Sequence, residues 1–200
     1  MQVNFNLIES KKEINLFSLF FVILFFSFLN AEKSVKTEIN YKFMNDFKHS
    51  EEPYYKFHPL SILEIKLSYR KVYLTASVGK GYWENMQDEQ FNFYSCDVFP
   101  ISTGLSGKFT KNFFVSEAQL NLKDYVIKYD NIPGRESFTE SEFSVGYEIS
   151  AGITYKKIIV SAFYAYDKIF SSKPMKINYW GIKTGFILNT PFLGFMTNEK

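Results

Sequence analysis

The segment "SEFSVGYEISAGITY", residues 141–155, constrains the fold more than any other part of the chain. From Phe143 every second residue is apolar or aromatic: Phe143, Val145, Tyr147, Ile149, Ala151, Ile153 and Tyr155. Between them stand Ser144, Gly146, Glu148, Ser150, Gly152 and Thr154. Side chains alternate across a strand with a period of two, so this segment predicts a β-strand with one greasy face and one polar face. The greasy face must be covered by a protein core or by lipid, and that choice decides the fold class.

The same alternation recurs along the chain. It predicts strands over 35–43, 63–70, 72–79, 99–107, 114–123, 143–155, 158–166 and 179–188. Most are close to the roughly 9–11 residues a tilted membrane strand needs. Pro100 cannot donate a ladder hydrogen bond, so a bulge or a strand start is expected there. The connections alternate in length. Short ones fall around Arg70-Lys71, at 108–112 and around Lys156-Lys157, while 44–59, 84–92, 125–140 and 167–176 are long. Short turns at one end and long loops at the other are the pattern of an outer-membrane barrel.

The polar positions carry the argument further. Glu38, Glu64, Glu117, Glu148, Lys36, Lys42, Lys66, Arg70, Lys123 and Lys183 share the non-greasy faces with many Ser and Gly residues. Glycine weakens a solvent-facing strand, but inside a narrow barrel it makes room for long charged neighbours. The greasy set is therefore expected to face lipid, and the alternative is a soluble lipocalin-like barrel with that set inside. Glu148 is expected to pair with inward bases, with Arg70, Lys66 and Lys123 the available types. Tyr41, Phe43, Tyr82, Trp83, Phe143, Tyr164, Tyr166 and Trp180 fall at the long-loop ends of their strands, and Tyr69, Tyr155 and Phe186 near the other ends. These are the positions of two interfacial aromatic girdles.

On this architecture, residues 34–188 resemble the small outer-membrane β-barrel proteins of the OmpA-transmembrane-domain and OmpX kind. The resemblance implies an all-β fold: an eight-stranded antiparallel up-and-down transmembrane β-barrel with long outer loops and short periplasmic turns. It also implies an aromatic residue closing the last strand, for which Phe192, Phe195, or Phe186 with Leu188 are the candidates.

The N-terminus fits export. Lys11 and Lys12 precede the uncharged run from Leu16 to Leu29, too short to span a bilayer and suited to a secretory core. Residues 1–31 are expected to be a signal peptide, with Asn30-Ala31 as the cleavage point, and residues 32–200 the barrel domain. A mean hydropathy of −0.15 argues against a bundle of apolar helices. A net charge of +2 gives no reason to expect a nucleic-acid partner.

Chemistry is sparse. Cys96 is the single cysteine and can form no internal disulfide. His49 and His58, with Glu51 and Glu52, lie in the first long loop, a weak spacing for zinc. No catalytic, cofactor-binding or metal residue is assigned, and no cofactor is expected. The inward acids and bases nearly balance, so they are expected to pair and plug the lumen rather than ring a selective pore. The leading expectation is a surface-exposed outer-membrane protein in contact with outer-membrane lipid. It would be structural, or bind extracellular or host protein through loops 44–59, 84–92, 125–140 and 167–176. A small porin and a lipid-modifying enzyme with His58 at the outer rim are the competing readings.

Overall fold

The computed structural model of the chain describes residues 36–46, 55–69, 72–85, 95–130, 136–170 and 175–189. The described residues form nine strands: β1 (Lys36–Asp46), β2 (Tyr55–Phe57), β3 (Leu60–Tyr69), β4 (Val72–Asn85), β5 (Ser95–Lys111), β6 (Phe114–Tyr129), β7 (Phe138–Tyr155), β8 (Ile158–Ile169) and β9 (Met175–Asn189). Eight of them close an antiparallel barrel, with β1 joined to β9 and β4 to β5. The short β2 lies outside that circuit and adds to the upper end of β4, Phe57 opposite Trp83.

The pairing fixes the stagger. From Asp46 it runs through Tyr179, Ala165, Glu148, Gln119, Ser106, Tyr73 and Ser68, and returns opposite Lys36, ten residues back on β1. At ordinary strand spacings that stagger tilts the strands by about 40°, so each residue adds about 2.5 Å of height.

The greasy face points outward. Phe143, Val145, Tyr147, Ile149, Ile153 and Tyr155 are 41–69% exposed, whereas Ser144 and Glu148 are 0% and 4%. Ile39, Leu63, Ile65, Leu105, Leu120, Val160 and Ile182 are likewise exposed on the other strands. A soluble lipocalin-like barrel has the opposite polarity, and this arrangement excludes it.

Two turns show why the short end is tight. Asn112-Phe113 and Lys156-Lys157 join their strands directly, and Asn112 (φ 56°) and Lys156 (φ 55°) take the left-handed backbone that two-residue hairpins demand. Pro100 makes neither a bulge nor a strand start. It lies in the middle of β5, where the register with β4 is the same on both sides of a gap at Gly79-Lys80 and Phe99-Pro100. Its ring takes space that Gly79 leaves free, since a Cβ on Gly79 would stand 2.9 Å from Pro100 Cγ.

The strands rise further than the alternation predicted. Within the expected loops, Met44–Asp46, Tyr55–Phe57, Glu84-Asn85, Tyr125–Tyr129, Phe138–Glu140, Asp167–Ile169 and Met175-Lys176 are strand. The short connection expected at 108–112 is Asn112-Phe113, because β5 runs on to Lys111. The last strand ends at Asn189, with Phe186 exposed on its outer face. Phe192 and Phe195 lie outside the described residues, as does the expected signal segment 1–31.

Candidate functional site

The lumen holds two layers. In the lower and middle part, six charged side chains form one ring of alternating sign. Lys42 Nζ lies 2.6 Å from Glu64 Oε2 and 2.6 Å from Glu148 Oε2. Lys66 Nζ lies 3.2 Å from Glu64 Oε1 and 2.5 Å from Glu117 Oε1. Lys183 Nζ closes the ring, 2.8 Å from Glu117 Oε2 and 3.3 Å from Glu148 Oε1. Each carboxylate gives one oxygen to each of two lysines, and every member is at least 94% buried. Charges taken out of water are tolerable only when paired and hydrogen-bonded, and the ring meets both conditions.

Neutral amides fill the spaces between the charges. Asn40 donates to Glu38 and Glu64, Gln119 donates to Glu64 and Asn121, and Lys66 donates to the Gln119 carbonyl oxygen. Lys108 closes the lower end with an ion pair to Glu38 and its ammonium 5.0 Å from the Tyr73 ring centroid. A further pair stands higher, where Asp167 Oδ2 takes Lys123 at 2.6 Å and the Tyr125 hydroxyl at 2.6 Å. The expected partners of Glu148 are thus replaced. Lys66 and Lys123 pair elsewhere, Arg70 lies outside the described residues, and Lys42 and Lys183 hold Glu148.

Above the charges the lumen is a packed apolar core. Met44, Leu60, Ile62, Val98, Ile127, Ile169, Ile177 and Tyr179 are at most 5% exposed. Trp83 belongs to this core and not to the outer girdle. It is fully buried, with Phe57 edge-on at 4.8 Å and Tyr125 at 5.5 Å. Tyr125 and Tyr129, expected in an outer loop, also point inward. Cys96 is buried here and donates to the Trp83 carbonyl at 3.4 Å, a structural thiol. The girdle expected above does form from Tyr41, Phe43, Tyr82, Phe143 and Trp180, all exposed on the outer face.

At the upper rim His58 Nε2 lies 3.0 Å from Glu84 Oε1, and its ring packs edge-on against Tyr82 at 5.1 Å. The His58 backbone N–H donates to the Tyr82 carbonyl at 3.0 Å, which ties the end of β2 to β4. His49, Glu51 and Glu52 lie outside the described residues, and among the described residues no group of three metal-ligating side chains converges. On the exposed end of β6, Lys128 donates to Asp130 at 2.8 Å and holds that carboxyl below its ordinary range.

No protein-family model matches the chain, and no curated protein sequence matches it. Among solved structures, Neisserial surface protein A (NspA) is similar over 78% of this chain and 96% of its own, at 8% identity and a TM-score of 0.50. The attachment invasion locus protein Ail of Yersinia pestis is similar over 78% and 97%, at 16% identity and a TM-score of 0.47. The N-terminal β-barrel domain of Pseudomonas aeruginosa OprF is similar over 78% and 98%, at 12% identity and a TM-score of 0.46. With its apolar band turned outward and its charges closed inside, the chain has the fold of the small bacterial outer-membrane β-barrels.

Proposed function

We propose that the chain is an exported integral outer-membrane protein with residues 1–31 as its signal peptide. In this reading its lumen does not conduct, and its work is recognition of extracellular or host protein at the projecting rim. One observation carries the reading: the ring of Lys42, Glu64, Lys66, Glu117, Lys183 and Glu148 beneath a packed apolar core. A lumen filled in this way has nothing to pass or to bind, so function falls to the rim, where strands and loops stand on a rigid base. The reading assigns no enzymatic chemistry.

The test combines place and conductance. Membrane fractionation should find the protein in the outer membrane. Protease added to intact cells should cut it in the long connections, near Asp88 and Gly134, and not at Lys156-Lys157. In planar bilayers the pure protein should show no steady ion conductance. Recovery in the soluble fraction, cutting at Lys156-Lys157 on intact cells, or stable open-channel current would each overturn the proposal.

A further inference from the structure

Among the described residues, strand heights leave the upper edge of β7 without a strand beside it. β6 pairs with β7 up to Tyr129 opposite Phe138. On the other side β8 accompanies β7 only up to Ile169 opposite Ser144. Phe170 then donates its N–H to the Phe143 carbonyl at 2.8 Å, and Ile169 pairs with Met175 as the chain turns into β9. Among the described residues, no strand lies beside Phe138–Glu142 on that side. This stretch rises about 15 Å above the top of β8. A hydrocarbon band of about 25 Å spans only about ten residues at this tilt. The upper end of the 18-residue β7 therefore stands clear of it.

The main-chain geometry says which groups are free. A strand residue points its N–H and C=O to the same side, and successive residues alternate. The Phe143 carbonyl faces β8, so the main-chain groups of Ser141 and Thr139 face the open side, while those of Glu140 and Glu142 face β6. The far edge of the same projecting wall is covered, because β2 sits on β4. An exposed edge is a template for another strand, and proteins that leave one open commonly guard it with charge. Here the charge is acidic. Glu140 is exposed and Glu142 half-buried on the inner face, Asp124 lies on the outer face with Ser141 donating to it at 2.6 Å, and among the described residues no cation pairs with Glu140 or Glu142.

We propose that the upper edge of β7, Phe138–Glu142, takes an extended basic peptide as an additional strand. Main-chain hydrogen bonds to Thr139 and Ser141 supply the pairing, and Glu140 and Glu142 select the charge. The same acids disfavour a second copy of this chain, since two such edges would bring like charges together. This deepens the rim reading above and rests on it for its biological side.

The experiment uses the whole protein in lipid nanodiscs, so it does not depend on where the protein resides in the cell. A short peptide alternating Lys and Val is titrated against the same peptide with Glu for Lys, and amide hydrogen exchange is followed at Thr139 and Ser141. The two amides should exchange freely at first and become protected by the Lys peptide alone. Thr139→Pro removes an edge donor without touching the β6 ladder and should weaken binding about tenfold. The double change Glu140→Lys and Glu142→Lys should transfer preference to the Glu peptide, a readout that holds even where the proline variant fails to fold. Amides already protected in the free protein, equal binding of both peptides, or dimerisation through this edge would overturn the proposal. Fractionation judges the rim reading separately.

Discussion

Glu148 shows how much a single position can hold. Its two oxygens join Lys42 on β1 to Lys183 on β9, so it bridges the strands on both sides of the β1–β9 seam. Breaking a buried pair by removing one partner is destabilising by about 3–5 kcal/mol, because the remaining charge stays buried. Glu148→Leu should therefore lower the temperature at which the compact, fast-migrating gel form is lost; an unchanged temperature would argue that water solvates the ring. That Glu148 faces inward among bases was legible from its place in the alternation. Its partners were not, because they depend on a stagger of ten residues that no single strand records. Asp167 went unnoticed as an inward acid for a related reason. It follows Tyr164-Ala165-Tyr166, where an aromatic-rich stretch blurs the contrast between faces.

At the scale of the element, the lower halves of the strands were readable and the upper halves were not. Below, greasy residues face out and polar ones face in, so period two is plain. Above, the interior also turns apolar. In "YVIKY", residues 125–129, Tyr125, Ile127 and Tyr129 point inward while Val126 and Lys128 point outward, and the contrast disappears. Local sequence then looks like a loop although it is strand. The outward face of β7 still makes a sharp prediction. Ile149 is 53% exposed on that face. With acyl chains against it, Ile149→Ala leaves no cavity and should be mild, whereas Ile149→Arg should cost about 2–4 kcal/mol near the midplane. The penalty should soften at Phe143 and Tyr155. Equilibrium folding into lipid vesicles measures both. A loss of about 2–5 kcal/mol for Ile149→Ala would mean the side chain sits in a protein core.

For the molecule as a whole, the exposed apolar band sets the conditions of folding. From urea, the chain should gain its barrel only when detergent or lipid is supplied, followed by circular dichroism and by the shift of the gel band. Full β-structure in plain buffer would contradict a lipid-facing band. The ring adds a constraint on the path itself. Its six members come from β1, β3, β6, β7 and β9, and two of its links, Lys42–Glu148 and Lys66–Glu117, join the first strands of the barrel to the later ones. Before those two links form, Lys42, Glu64 and Lys66 carry one lysine in excess and Glu117, Glu148 and Lys183 one glutamate in excess, each charge without a partner in a dry interior. Partly assembled forms are thereby kept scarce, and the two ends of the chain, far apart in the order of synthesis, must commit together.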